Sequence, residues 1–385
     1  MSVSRLAEMA GIGVDRMSER ARRADDPDLL RLENLDTDLR PPAAVLEATR
    51  RAIESDEANS YLPFPGTDEL RSAAAELVSK NSGVAYDWRR SVLVSAGGLN
   101  GILNVLLAIL EPGDEVVLCD PIYIGLINRV RLAGGVPRFV RLAARAGGWN
   151  LDLDSLAAAV SRRTRAFLMM SPAMPSGAVL SRDDWKAVCQ ACCDADAWMV
   201  YDSAMERILF DGLTPTHPAS FPGMAERTIT VGSVSKEYRM IGWRVGWIVS
   251  PPALTDDIGL VGISNVVCNV GIAQHAAAVA LRAPASDLFA AAAILQERRD
   301  LVLEELRSFT VIRPSGGWSL LLDVGELGIS SGEAADRLLE RGRVAVTPMT
   351  GWGESSSDRV LRLVFSNEPL PRLRGLSARF DDALR

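Results

Sequence analysis

Short β-rich runs alternate with helix-like segments along most of the chain, and this alternation constrains the fold more than any other feature of the sequence. The seven runs are Ser91–Ser95, Glu115–Cys119, Val136–Val140, Arg165–Met170, Trp198–Asp202, Thr228–Gly232 and Arg244–Ser250. Strands that alternate with helices are typical of an α/β protein with a largely parallel sheet. A helix stop at Glu111–Asp114 and an N-cap with an acidic first turn at Ser181–Asp184 agree with that interpretation.

The pattern changes after Arg282. A long helical stretch, Ser286–Ser308, precedes two separated strand candidates, Trp318–Val324 and Arg359–Phe365. We therefore expect a small α+β unit at the end of the chain. The predicted division has three parts: an N-terminal arm with part of the small domain (residues 1–55), a large domain (56–282) and a C-terminal small domain (283–385).

Charge and hydropathy argue against two classes of partner. The net charge is −7 at pH 7, so the chain lacks the basic footprint of nucleic-acid-binding proteins. The longest apolar stretch, Gly98–Leu110, is interrupted by Asn100 and Asn104 and is shorter than the roughly 20 residues that cross a bilayer. We expect neither a nucleic-acid partner nor a membrane partner.

The cysteines indicate a reducing compartment. Their number, five, is odd, and the first 30 residues lack the apolar core of a signal peptide; they predict an amphipathic arm or a disordered lead. Cys189, Cys192 and Cys193 lie in a helical pattern, and only His217 and His275 could complete a metal site with them. Small buried core residues are the simpler interpretation of these cysteines. We expect a cytoplasmic protein without a bound metal.

Lysine is scarce in this sequence, which draws attention to each one. The 42 basic residues comprise three lysines, Lys80, Lys186 and Lys236, and 39 arginines. Lys236 closely follows the run Thr228–Gly232, and ligands of an open α/β sheet bind at the carboxyl ends of its strands. Two serines precede this lysine, so it is a candidate Schiff-base former with phosphate-binding neighbours. A surface lysine after a strand is the alternative.

Three further features could complete such a site. Asp202 ends an apolar run and could hold a positive charge, although a helix cap would explain it as well. Arg244 could complement a phosphate, or it could face solvent at a strand edge. The pair Gly97-Gly98 joins a strand to a helix, where backbone N–H groups are free to bind an anion, and a tight turn is its alternative.

Five spaced motifs together resemble the class I and II aminotransferases, the fold-type I pyridoxal-phosphate enzymes. In chain order they are Tyr61–Arg71, Pro175-Ser176-Gly177, Tyr201-Asp202, Ser233-Val234-Ser235-Lys236 and Gly242-Trp243-Arg244-Val245-Gly246. The resemblance runs from about Arg40 to Phe365 and implies the aspartate-aminotransferase-like fold, with a mostly parallel seven-stranded sheet and a small α+β domain. It also implies pyridoxal 5′-phosphate as cofactor, an amino-acid substrate and a homodimer with sites built from two subunits.

The resemblance also implies roles for individual residues. Lys236 would form the Schiff base and shuttle protons at the substrate α-carbon, which requires a pKa below the ordinary lysine value of about 10.4. Asp202 would pair with the protonated pyridine nitrogen. Tyr123 would stack on the ring and Arg362 would clamp the substrate carboxylate, with a core tyrosine and a surface arginine as the alternatives. The cofactor phosphate and its turn would involve Gly97, Gly98, Leu99, Ser233, Ser235 and Arg244, with Tyr61 reaching a phosphate across the dimer interface.

The chain departs from the family pattern beside the cofactor ring. Met174 replaces the asparagine that binds the ring oxygen, and Met205 replaces the tyrosine that shares that oxygen. A hydrogen bond to an ionised oxygen contributes roughly 1.5 to 3 kcal/mol, so two losses should alter the ionisation of the cofactor unless water or Ser203 substitutes. The segment Leu35–Asp38 also replaces the N-terminal glycine motif. We expect a roomier and less polar pocket.

These features favour a pyridoxal-phosphate-dependent enzyme that acts at the α-carbon of an amino acid or amino-acid conjugate, with transamination as the default reaction. The altered surroundings of the ring oxygen keep a specialised biosynthetic enzyme open, either a C–S β-lyase or a decarboxylation-coupled oxidative deaminase. A cofactor-sensing regulator would need a DNA-binding domain, for which the lead before Leu35 is too short and too acidic. The retention of Lys236, Asp202 and Arg244 argues against an inactive scaffold.

Overall fold

The computed structural model describes residues 13–145, 148–354 and 358–385, together with Leu6, Met9 and Gly11. Its largest element is a sheet of eight strands, in which four neighbouring pairs are parallel and three are antiparallel. In spatial order the strands are Val92–Ser95, Gly246–Val249, Thr228–Ser233, Trp198–Asp202, Thr164–Met170, Glu115–Asp120, Val136–Arg145 and Gly148–Leu151. The predicted α/β class with a mostly parallel sheet is confirmed.

All seven β-rich runs of the sequence form strands of this sheet, with two differences from the prediction. The additional strand Gly148–Leu151 pairs antiparallel with Val136–Arg145 and extends one edge, so the sheet has eight strands and not seven. The last run is shorter than predicted, because its strand is Gly246–Val249. Arg244 adopts φ 53° and ψ 48°, a left-handed conformation that is incompatible with an extended strand.

Helices connect most of these strands. In the described residues they are Val14–Arg23, Ala43–Ile53, Asp68–Ser82, Trp88–Ser91, Gly98–Ile109, Ile124–Leu132, Leu153–Ala159, Arg182–Asp194, Pro252–Asn265, Gly271–Arg282, Ser286–Glu305, Ser331–Arg337, Leu370–Leu373 and Leu376–Leu384. Ser181 caps one of them as the sequence predicts: its hydroxyl accepts from the N–H of Asp184, whose carboxylate accepts from the N–H of Ser181. Local signals therefore set where this helix begins.

A second sheet, of four antiparallel strands, forms near the C-terminus. Its spatial order is Thr310–Ile312, Ser319–Asp323, Val360–Val364 and Thr347–Pro348. The short strand Leu30–Arg31 pairs in parallel with Val344–Ala345, so the N-terminal segment packs on this C-terminal unit. This pairing supports the proposed three-part division, whose boundaries at residues 55 and 282 stay a prediction.

The interior of the large sheet is apolar, and this decides where polar groups collect. The strands Glu115–Asp120 and Thr228–Ser233 are buried along their whole length. Strands covered on both faces carry apolar side chains on both, as Val116, Val117 and Leu118 illustrate. The polar side chains at the carboxyl ends of these two strands, Asp120 and Ser233, therefore lie at the same edge of the sheet.

No single helix in the described part of the chain is long and apolar enough to cross a membrane. Gly271–Arg282 and Ser286–Glu305 satisfy length and hydropathy criteria only as a pair, and the chain bends by 85° between them. Both helices contribute buried residues, among them Ala276 and Leu295.

Candidate active site

A cavity of about 450 Å³ lies at the carboxyl edge of the large sheet. A volume of this size is typical of small-molecule sites. Tyr61 lies outside it with 82% of its surface exposed, and Gly97 lies just beside it. The other eleven predicted site residues line its wall: Gly98, Leu99, Tyr123, Met174, Asp202, Met205, Ser233, Ser235, Lys236, Arg244 and Arg362.

Sheet topology explains why residues so distant in sequence meet here. The strands Thr164–Met170, Trp198–Asp202 and Thr228–Ser233 are parallel neighbours, so their carboxyl ends share one edge. Asp202 and Ser233 are the last residues of two of these strands. Ligands of open α/β sheets bind in the crevice at such an edge.

The glycine turn reaches the same edge from a more distant strand. The strand before it, Val92–Ser95, and Thr228–Ser233 are both antiparallel to the strand between them and so parallel to each other. Gly97 has φ 87°, and a Cβ there would come within 2.4 Å of Nη2 of Arg244. Only glycine therefore permits this approach.

An anion would find several donors at this turn. The helix Gly98–Ile109 begins here, and the first N–H groups of a helix lack intrahelical partners. Arg244 places its guanidinium beside them and donates from Nη1 to Oγ of Ser235 at 3.3 Å. Ser233 is buried nearby, with its side chain 3.5 Å from the position a Cβ of Gly98 would take. These groups suit a phosphate.

Lys236 carries the amine of the site. Nζ donates to the carbonyl oxygen of Leu35 at 2.9 Å and lies 4.8 Å from the ring centre of Trp318. Desolvation lowers the pKa of Lys236 to about 7, and the charge of Arg362 acts in the same direction, whereas Asp36 opposes it. A substantial fraction of this amine is therefore the nucleophilic free base near neutral pH.

Asp202 is the buried carboxylate of the cavity. Oδ1 accepts a hydrogen bond from the N–H of Ala204 at 3.0 Å, and only 4% of the residue surface is exposed. Burial raises the pKa of Asp202 to about 6, while that hydrogen bond and the nearby charges of Arg129 and Lys236 lower it. A cation placed against this carboxylate, such as a protonated pyridine nitrogen, would keep it ionised.

Arg362 is fully buried in the small sheet, and its guanidinium is held from several sides. Nη2 donates to the carbonyl oxygen of Glu33 and to Oγ1 of Thr347, the latter at 3.2 Å. The indole of Trp352 lies beneath it, 4.9 Å from Cζ to the ring centre. Burial lowers the pKa of Arg362 to about 10, which leaves it charged at neutral pH. Nε is buried without a partner among the described residues.

The two methionines lie where the sequence analysis places them, beside the other site residues. Met174 and Met205 are 6% and 3% exposed, and Met170 adds a third thioether to the wall. Sδ of Met174 is 3.8 Å from Nη1 of Arg362, so a weak sulfur acceptor faces this guanidinium. Ser203 does not line the cavity, and its hydroxyl donates to the carbonyl oxygen of Val231 at 3.3 Å.

Sequence reasoning missed the aromatic and N-terminal parts of the site. Trp318 and Trp352 are buried against Lys236 and Arg362, and Trp352 also meets Tyr123 edge-on at 5.4 Å. No pattern along the chain pairs either tryptophan with a charged group. The N-terminal helix and the segment after strand Leu30–Arg31 also line the cavity, through Val14, Asp15, Ser18, Asn34 and Leu35.

The residues present fit pyridoxal 5′-phosphate by the chemistry of their donors. The cavity offers an amine of lowered pKa, a buried carboxylate, a cluster of anion-binding groups at a helix N-terminus, and a tyrosine, Tyr123. These groups match the carbonyl, the pyridine nitrogen, the phosphate and the ring face of the cofactor. Arg362 remains for a substrate carboxylate.

Comparisons with known proteins agree with this site. The family model described as aminotransferase class I and II matches residues 29–373. The arginine–pyruvate transaminase of Pseudomonas aeruginosa is 36% identical over 357 residues, which are 91% of this chain and 89% of that protein.

Solved structures show the same fold. The N-succinyldiaminopimelate aminotransferase of Mycobacterium tuberculosis superposes with a TM-score of 0.92 at 32% identity, over 98% of this chain and 99% of that one. The aspartate aminotransferase of Thermus thermophilus superposes with a TM-score of 0.92 at 30% identity, over all of both chains. The similarity therefore extends over both sheets.

Proposed function

This chain belongs to the class I and II aminotransferases, which are pyridoxal-phosphate-dependent enzymes. From that premise we propose that it moves the amino group of an α-amino acid to a 2-oxo acid, with Lys236 as the catalytic amine. When bound, the cofactor supplies a carbonyl carbon that links to amines and a ring that accepts electron density from the substrate α-carbon. The observation that carries the proposal is that Lys236, Asp202 and Arg362 line one cavity.

Each of these residues has a task that its surroundings suit. Arg362 would bind the substrate carboxylate, because its guanidinium is buried, charged and held on one side by Glu33 and Thr347. Lys236 would remove the proton from the α-carbon of the substrate. A base with a pKa near 7 is well matched to that transfer at neutral pH. Asp202 would hold the pyridine nitrogen protonated.

The spectrum of the cofactor tests the proposal. We expect amino acids to convert the absorbance of the holoprotein to that of the pyridoxamine form, and a 2-oxo acid to restore it. Lys236→Ala should abolish both changes, whereas Lys186→Ala, which removes an exposed lysine from a surface helix, should leave them intact. Release of ammonia, thiol or carbon dioxide without a pyridoxamine form would instead favour the lyase or oxidative deaminase alternatives.

We also propose that the enzyme is a homodimer. Several large apolar side chains are exposed, and Phe64, Ile263 and Val267 among them line one surface groove. An exposed cluster of this kind is typical of an interface. Tyr61 lies close to Phe64 in sequence and is more exposed than any other large apolar or aromatic residue described, which supports a role in a second subunit.

We propose that the protein resides in the cytoplasm, which is a reducing compartment. The five cysteines are all free, and Cys119, Cys189 and Cys192 are buried in the core. Burial raises the pKa of each of these three thiols well above its usual range, so they are unreactive structural residues. A chain with this cysteine usage needs no oxidising environment.

A further inference from the structure

The names of the relatives cover arginine, N-succinyldiaminopimelate and aspartate, so family membership leaves the side chain of the substrate open. One wall of the cavity has no task in the proposed function. It consists of Val14, Asp15 and Ser18 on the N-terminal helix and Asn34 and Leu35 after the first strand. We call it the N-terminal wall.

Hydrogen bonds place this wall beside the groups that would hold the substrate. Arg362 donates to the carbonyl oxygen of Glu33, and Lys236 donates to that of Leu35. The backbone of residues 33–35 therefore runs from the carboxylate-binding guanidinium to the reactive amine. Ser18 donates to Oε1 of Glu33 at 3.1 Å, which fixes the N-terminal helix against this segment. A substrate bound between Arg362 and Lys236 would therefore place its side chain close to the N-terminal wall.

The charges of the cavity leave one carboxylate without a task. Its charged residues are Lys236, Arg244 and Arg362 on the positive side and Asp202 and Asp15 on the negative side. The proposed function uses four of them and leaves Asp15. In the described part of the chain Asp15 makes no ion pair and no hydrogen bond through its side chain, and it lies one helical turn before Ser18.

A second carboxylate lies behind the wall. Glu33 is fully buried, and its Oε1 accepts from Ser18 and from Arg31. Its other oxygen, Oε2, has no hydrogen-bond partner in the described residues. Arg31 forms an ion pair with Glu33, whereas Asp15 is the carboxylate that lines the wall itself. No lysine, arginine or histidine side chain of the described residues lies within ion-pairing distance of the carboxylate of Asp15.

The remainder of the wall is apolar. Val14 and Leu35 flank the polar positions, and Ile241 lies on the same cavity. An aliphatic stem would pack on these side chains while a cationic end group reached the carboxylate of Asp15. We propose that Asp15 selects amino acids whose side chains end in a guanidinium or ammonium group.

Asp15 also lies in the first turn of a helix, where a carboxylate stabilises the helix dipole without any ligand. That role predicts a change in stability and none in substrate preference. L-arginine and L-citrulline separate the two roles, because they have nearly the same length and shape and differ in charge. Since Asp15 is exposed, we expect an effect of roughly fivefold on the ratio of their kcat/KM values.

The experiment measures kcat/KM of the holoenzyme for L-arginine, L-citrulline and L-methionine with one 2-oxo acid. The wild-type enzyme should favour arginine over citrulline by roughly fivefold or more, Asp15→Asn should bring the ratio close to one, and Asp15→Glu should retain the preference. Glu19→Gln removes the same charge from the same helix at an exposed position outside the cavity and should change nothing. Activity with methionine should be the same in all four proteins.

The inference rests on the proposed function, and the outcomes separate the two. If citrulline or methionine is converted as well as arginine, or if Asp15→Asn leaves the ratio unchanged, Asp15 does not select the substrate and transamination still stands. If no amino acid alters the cofactor absorbance of the wild-type enzyme, the proposed function fails and this inference fails with it. A preference that Glu19→Gln abolishes equally would assign the effect to the helix charge and overturn the role of Asp15.

Discussion

The surroundings of Lys236 determine how this residue can act. A lysine in water is almost fully protonated at pH 7, and a protonated amine is neither a nucleophile nor a base. Here desolvation lowers the pKa of Lys236 to about 7, assisted by the positive charges of Arg362 and Arg244. The indole of Trp318 contacts the amine, but it carries no negative charge that would offset the cost of desolvating the protonated amine.

The lowered pKa predicts the pH dependence of cofactor capture by the apoprotein. The free-base fraction of Lys236 should rise about tenfold between pH 6 and pH 8 and then level off, because the amine is already deprotonated. Stopped-flow absorbance after mixing apoprotein with pyridoxal phosphate measures this rate. A rate that continues to rise tenfold per pH unit up to pH 10 would show an ordinary lysine. Lys236→Ala should show no absorbance change from Schiff-base formation at any pH.

The methionines change the chemistry of the site at the same scale. Met174 offers sulfur to Arg362 at 3.8 Å, and Met205 is buried nearby. Neither side chain can donate a hydrogen bond to a ring oxygen. Because the hydroxyl of Ser203 is engaged with Val231, it does not replace the missing donors. The proposed consequence is a cofactor whose ring oxygen depends on solvent or on a second subunit.

At the scale of elements, the turn that follows strand Trp198–Asp202 packs a second titratable group beneath the site. Glu206 is 4% exposed, and it accepts hydrogen bonds from Nδ2 of Asn81 at 2.7 Å and from the hydroxyl of Tyr201 at 3.2 Å. Burial raises the pKa of Glu206 to about 7, and the charge of Glu237 adds to the shift. The same turn carries Met205 into the cavity wall.

This shift predicts how stability depends on pH. The folded state binds the proton of Glu206 more tightly than the unfolded state, whose pKa is near 4.5, so this group destabilises the fold progressively as pH rises from 4.5 through 7. The free energy of unfolding of Glu206→Gln, minus that of the wild type, should therefore be roughly 2 kcal/mol larger at pH 8 than at pH 5. Urea denaturation at both pH values measures the difference.

The control for that measurement is Glu226→Gln, which removes an exposed carboxylate. It should follow the wild-type curve at both pH values. A Glu206→Gln protein that runs parallel to wild type would contradict the raised pKa.

At the scale of the whole molecule, the proposed dimer predicts complementation between inactive subunits. If Tyr61 serves the site of the other subunit, a heterodimer of Lys236→Ala and Tyr61→Phe chains contains one site with both native residues and one site with neither. Random mixing should then restore about a quarter of wild-type activity, because half of the dimers are mixed and each has one intact site.

Activity after co-refolding at equal concentrations tests this arrangement. Each variant alone supplies the baseline, and size-exclusion chromatography with light scattering gives the assembly state. If Tyr61 acted within its own chain, the mixture would show only the average of the two parents. A monomer in solution would contradict the dimer itself.

Much of the architecture could be predicted because its signals are local. Three such signals can each be recognised within a few residues: the seven β-rich runs, the helix N-cap at Ser181, and the pair Gly97-Gly98 where the helix Gly98–Ile109 begins. The order of motifs was enough to predict the cofactor. The additional strand Gly148–Leu151 escaped prediction, because a short hairpin extension carries a weak pattern of its own.

The sequence by itself determined the α/β class, the cofactor and the set of residues expected to bind it, since these depend on short patterns and on their order. Only the tertiary structure decided what surrounds them. Lys236 meets Leu35 across 201 positions of the chain, and Arg362 meets Glu33 across 329. No local pattern specifies such contacts, because they depend on how the N-terminal segment packs between the two sheets. The lowered pKa of Lys236, the hydrogen bonds that hold Arg362 and the N-terminal wall with Asp15 all arise from that packing.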